Sequence, residues 1–184
     1  YPDWVMLRRG DVFENPPRLQ TTRSNTNNEY NDQYRGGPSE QYRQVIGAYG
    51  DLSADRPLLL YGRGGAINYV GNTVYRNLAI VGLHLYAHTR DPAHPDFSAD
   101  RDPNLGWIVP GSTAIGMNAK NTGECANMLI EDCVVDFFSE GIILQNDWSN
   151  LEVRRCIITN IYDGTRPDNA LADRSQGLYG SGLQ

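Results

Sequence analysis

The sequence predicts an all-β chain wound into a parallel β-helix, and three observations predict it. The first is repetition: Asn, apolar, any, apolar, any, any, Cys, apolar, apolar describes residues 127–135 (NMLIEDCVV) and again residues 150–158 (NLEVRRCII). A looser copy, NLAIVGLHL, occupies 77–85 with Leu83 in the cysteine slot. Similarity at a period of 20 to 50 residues marks a repeat architecture. The second is periodicity within each copy. Met128, Ile130, Cys133 and Val135 match Leu151, Val153, Cys156 and Ile158, and also Leu78, Ile80, Leu83 and Leu85. That is alternation in twos with a single break, which belongs to short bent strands and not to helices. The third is the lack of Asn-Gly hairpin turns between copies, so the strands stack in parallel and each copy is one coil that buries its inner face only against a neighbour.

Length and charge narrow the classes of function. The 184 residues make one ordinary domain, large enough to form a core without metal or disulfide staples. A formal charge of −6 speaks against nucleic-acid or anionic-membrane partners, which require a basic face. Lys120 is the only lysine, so arginine supplies nearly all the positive charge. No window approaches the ~20 apolar residues of a membrane span. The chain opens at Tyr1 just ahead of WVMLRRGD, a strand already under way, and reads as processed or truncated there. The cysteines are odd in number and lack the spacing of a zinc or redox motif. Cys133 and Cys156 share one slot in successive copies and are expected as stacked small fillers rather than a disulfide.

Along the chain, WVMLRRGDVF is the first strand pair. Residues 14–44 hold a single aliphatic residue, Leu19, among many Asn, Gln and Arg, and are expected as a polar insertion that gives no core strand. QVIGAYG and DRPLLLYG resume the pattern, and the 77–85 copy follows. The next coil turns its corner within DFFSEG, whereas the copies on either side detour through loops at 86–113 and 162–176. SQGLYGSGL then supplies a strand resembling GIILQ. Both loops leave the same corner, so they should wall a groove floored by Asp136, Ser139 and Glu140, because insertions into a solenoid gather on one face. Stacked strands lie about 4.8 Å apart, which sets Glu131 over Arg154 and Asp132 over Arg155 as a ladder of opposite charges. His84, whose repeat partners are Val134 and Ile157, reads as structural.

The run WVMLRRGDVF, QVIGAYG, DRPLLLYG, NLAIVGLHL, NMLIEDCVV, NLEVRRCII and SQGLYGSGL resembles right-handed parallel β-helix (solenoid) proteins of the bacterial pectate-lyase-like superfamily. The resemblance spans most of the chain outside its polar loops, and the polygalacturonase motifs NTD, DD, GHG and RIK are absent. It implies a right-handed coil and a secreted or cell-surface protein that engages polysaccharide, as a lyase, as a glycoside hydrolase, or without catalysis. Substrate contacts are expected from His88, Arg90 and Asp91 on one wall and from Asp163 and Arg174 on the other. Hydrolysis needs two carboxylates ~5 to 9.5 Å apart, and Asp136 and Glu140 are the candidates. A lyase needs the uronate charge neutralised, for which Arg166 is the candidate together with Arg90, Arg101 and Arg174. Carboxylates spaced as in DFSADRD suit Ca²⁺, the one cofactor this reading would add. The competing class is a structural or adhesive module that self-associates end to end through open solenoid edges.

Overall fold

A computed structural model describes residues 4–14, 16, 19–21, 36–62, 66–71, 75–97, 101–102, 107–108, 113–119, 125–145, 148–161 and 181–183. They form five coils. The first holds β1 (Trp4–Arg8), β2 (Val12–Glu14) and β3 (Leu19–Thr21), and the second β4 (Gln44–Tyr49), β5 (Leu58–Leu60) and β6 (Ile67–Gly71). The third has β7 (Arg76–Val81) and β8 (His84–Tyr86), then a detour carrying β9 (Arg101–Asp102) and β10 (Trp107–Ile108), and returns as β11 (Thr113–Ala119). The fourth holds β12 (Cys125–Glu131), β13 (Val134–Asp136) and β14 (Glu140–Gln145), and the fifth β15 (Trp148–Arg154), β16 (Ile157–Thr159) and β17 (Ser181–Leu183). Equivalent strands pair in parallel into three five-stranded sheets, β1-β4-β7-β12-β15, β2-β5-β8-β13-β16 and β3-β6-β11-β14-β17. The detour hairpin β9-β10 is antiparallel. The architecture is a parallel β-helix.

The three sequence copies stack in register, Leu78 on Met128 on Leu151 and Leu85 on Val135 on Ile158. Backbone dihedrals explain the broken alternation. Asn127, Asp132 and Phe137 all have positive φ, and so do Asn150, Arg155 and Asn160 one coil later. These left-handed residues recur every fifth position, and each shifts the in-out phase by one residue, bending the strand as a bulge does. The inward positions of β12, β13 and the corner after them are therefore Cys125, Met128, Ile130, Cys133, Val135 and Phe138, all buried. The third coil keeps the first two bends, at Asn77 and Gly82, but Ala87 stands at the third with φ −83. Lacking that bend, the chain leaves the coil there, and the long detour begins.

The leading Asn of each copy has a second task. Asn150 Nδ2 donates to Asn127 Oδ1 at 2.9 Å, Asn127 Nδ2 to Asn77 Oδ1 at 2.8 Å, and Asn77 Nδ2 to the Gly37 carbonyl at 2.8 Å. The last bond belongs to a strap, residues 36–43, laid across the coils. Gly36 has φ +102 and approaches Arg76 so closely that a Cβ would run into the Arg76 carbonyl.

Two expectations are corrected. The polar stretch 14–44 does give a strand, since β3 pairs with β6 and sets Leu19 beside Ile67. Backbone pairing with a neighbouring coil needs no apolar composition. Asp132 does not meet Arg155 either. Glu131 takes Arg154 at 3.0 Å and Arg155 as well, while Asp132, turned by its left-handed backbone, reaches back to Arg9 at 3.1 Å and Arg56 at 2.5 Å. The paired thiols stand as expected: Cys133 and Cys156 are both free, and each donates to a backbone carbonyl, Cys133 Sγ to Glu131 at 3.3 Å and Cys156 Sγ to Arg154 at 3.3 Å.

Candidate functional site

In the middle sheet the central residue of each short strand points inward, as Leu59, Leu85 and Val135 do. The flanking residues form two outward columns, Val12–Leu58–His84–Val134–Ile157 and Glu14–Leu60–Tyr86–Asp136–Thr159. Half of these ten residues are aliphatic. His84, Tyr86 and Asp136 sit together at the third and fourth coils, beside the start of the detour, while Glu14 lies on the first coil.

The detour folds back on Tyr86 by successive turns. Arg90 N–H donates to the Ala87 carbonyl at 2.9 Å, His94 N–H to the Asp91 carbonyl at 3.0 Å, and Phe97 N–H to the His94 carbonyl at 2.9 Å. Pro92 and Pro95 suit such turns, since their fixed φ favours them. Tyr86 Oη donates to Asp91 Oδ2 at 2.5 Å, and Asp91 Oδ1 also accepts from the Ala93 N–H at 2.8 Å. Tyr86 is then the centre of a ring cluster. Its centroid lies 5.9 Å from His94 and 5.9 Å from Phe137, both edge-on, and 6.0 Å from His84, while His88 and His94 meet edge-on at 4.9 Å. These are the separations at which aromatic rings attract.

Burial sets the charge states. It pushes the His84 and His88 pKa values below the usual imidazole range, so both rings are neutral at pH 7. His94 Nδ1 accepts from the Asp96 N–H at 3.1 Å, and His88 Nε2 lies 3.8 Å from Asp96 Oδ2. Tyr86 is pushed up by burial and by its bond to Asp91, whose carboxyl is held down by the Tyr86 hydroxyl. Asp136 accepts from Thr159 Oγ1 at 3.0 Å and Asn160 Nδ2 at 2.8 Å.

Beside His84 opens a cavity of about 230 Å³, lined by Gly10, Asp11, Val12, Asp55, Arg56, Leu58 and His84. Val12 and Leu58 are its aliphatic lining, and the remaining side chains are polar. The cations around it are already engaged: Arg8 pairs with Asp11 at 2.7 Å, and Arg56 donates to the Asp132 carbonyl at 2.6 Å as well as to its carboxylate. Burial raises the Asp132 carboxyl, but the bonds and charges of Arg56 and Arg9 outweigh it and hold the group below the usual range. His84 Nε2 is buried and has no hydrogen-bond partner among the described residues.

The expected site residues fare differently. His88 and Asp91 join the ring cluster. Arg90 is buried, its Nε donating to the Phe137 carbonyl at 2.8 Å, and so braces the detour against the next coil. Asp136 and Glu140 flank the corner at Phe137–Ser139, and Glu140 accepts from Thr113 Oγ1 on the coil below. Asp163, Arg166 and Arg174, the second wall, lie outside the described residues. Among the described residues no three His, Cys, Asp or Glu side chains are grouped to hold a metal ion, and no helix is long and apolar enough to cross a membrane. Sequence reading placed His94 on the first wall with His88 and read His84 as structural, but missed Tyr86, the centre of the cluster. A signal was available: all three histidines of the chain fall within HLYAHTRDPAH, residues 84–94. Comparison with family models, curated proteins and solved structures gives no match.

Proposed function

We propose that this β-helix engages a glycan across the outer face of the middle sheet, at the shelf formed by Tyr86, His88, His94 and Phe137. The observation that carries the reading is the Tyr86 cluster, where aromatic rings and the hydroxyl-accepting carboxylates Asp91, Asp96 and Asp136 meet on one surface. Sugars present apolar C–H faces and a rim of hydroxyls, and a site with a few placed polar groups among rings suits both. Membership of the pectate-lyase-like superfamily and a secreted or cell-surface setting belong to the same proposal, supported by the parallel β-helix architecture.

The test is binding and turnover on a panel of acidic and neutral polysaccharides. Tyr86→Ala should weaken binding at least tenfold with the fold intact. If the parent turns substrate over and Asp136→Asn or Glu140→Gln abolishes this while binding persists, the protein is an enzyme, a lyase or a hydrolase according to whether the product is unsaturated. Binding that is indifferent to Tyr86→Ala, or no binding at all, overturns the reading.

A further inference from the structure

We propose that the cavity beside His84 is a recognition subsite for a single pyranose ring bearing no carboxylate; the inference rests on the glycan reading and specifies the sugar. Its size comes first. At about 230 Å³ it falls below the ~300 to 1,000 Å³ of pockets that enclose larger ligands, so it has room for one ring and not for a run of them. Its lining is divided as a sugar is divided. Val12 and Leu58, stacked outward on successive coils, offer an aliphatic surface to a C–H face. Asp11, Asp55, Arg56 and His84 supply the polar part.

His84 points to hydroxyls. Its ring lines the cavity, while Nε2 itself is buried. A neutral imidazole nitrogen donates or accepts according to its tautomer, and a hydroxyl answers either way. Nothing so placed requires an ion.

Charge excludes the uronic acids. Asp11, Asp55 and Arg56 line the cavity, with Arg8 paired to Asp11 and with Arg9 and Arg56 sharing Asp132, so that three cations balance three carboxylates. Asp136 lies close enough to act on His84 as well. A ligand carboxylate would therefore find Arg8, Arg9 and Arg56 each already bonded to an aspartate, and would give up its hydration with no unengaged cation to replace it. A desolvated charge without a partner disfavours binding. This turns away from the uronate chemistry that a lyase would need.

The experiment titrates the full chain with the methyl glycosides of glucose, galactose, N-acetylglucosamine and galacturonic acid. Side-chain resonances of His84, assigned with His84→Gln, and the Leu58 methyls are followed by NMR. A neutral glycoside should shift both saturably, Asp55→Asn should weaken it about fivefold, and the galacturonoside should bind at least tenfold more weakly. Galacturonoside binding as tight as the neutral sugars, or no movement of His84 with any of them, overturns the subsite. If His84 stays still while polysaccharide binding remains sensitive to Tyr86→Ala, the subsite falls and the wider glycan reading stands. If no polysaccharide binds, both fall.

Discussion

Single residues with left-handed backbones shape this molecule. Asn127 has φ 57 and also bonds the asparagines above and below it, so two separate roles meet in one side chain. Asn127→Gly keeps the backbone and loses the ladder, whereas Asn127→Ala loses both. We expect a loss of about 1 to 2 kcal/mol for glycine and about 2 to 3 kcal/mol for alanine, read by urea unfolding. Glu131 and Asp132 give a second prediction. Arg154 holds the Glu131 carboxyl below the usual range by hydrogen bonding, and Asp132 is held down by Arg56 and Arg9 against its burial. A carboxyl depressed in the folded state contributes stability that is present above its unfolded pKa of about 4 and is lost as the pH falls through the lower folded value. The melting temperature should therefore drop from about pH 4 downward, and Glu131→Gln with Asp132→Asn should flatten that drop.

At the scale of the strand and its corner, the inner positions are closely packed. Ile130 is fully buried between Ile80 and Val153, so Ile130→Ala should destabilise by about 2 to 5 kcal/mol in the same unfolding assay. The cysteine rung makes a sharper test. The neighbouring Cys133 thiol draws the partly buried Cys156 thiol down to about 6, while the fully buried Cys133 is raised by the same contact and by its burial. Iodoacetamide at pH 7.5 should alkylate Cys156 well ahead of Cys133 and the buried Cys125, as peptide mass mapping would show. Strands, register and the inward cysteines were legible because period 2 and the Asn-led repeat both report on the backbone. The charged ladder was legible only at Glu131. The partner of Asp132 depends on where a left-handed residue aims its side chain, and Arg9 and Arg56 are distant in sequence. The ring cluster was hidden for a related reason. His84 stacks between Leu58 and Val134, so its column reads as aliphatic, and only the fold-back of the detour brings His94 onto Tyr86.

For the molecule as a whole, nearest-neighbour stacking means that stability accumulates coil by coil, each coil answering mainly to those beside it. Damage at the outermost described coil should stay local: Val153→Ala should speed hydrogen exchange in β15 and β16 far more than in β7 and β8. The asparagine ladder carries a mechanical consequence. Its rungs join residues 23 apart between the fourth and fifth coils and 50 apart between the third and fourth. Pulled along the coil axis, the bonds between neighbouring coils are loaded in series, and they should give way rung by rung. At about 3.4 Å of extended chain per residue, releasing the shorter coil lengthens the tether by roughly 80 Å and the longer by roughly 170 Å. A single-molecule trace would then carry unequal steps, and the detour that builds the ring cluster supplies the longest of those between the described coils, a reserve of slack within the spring.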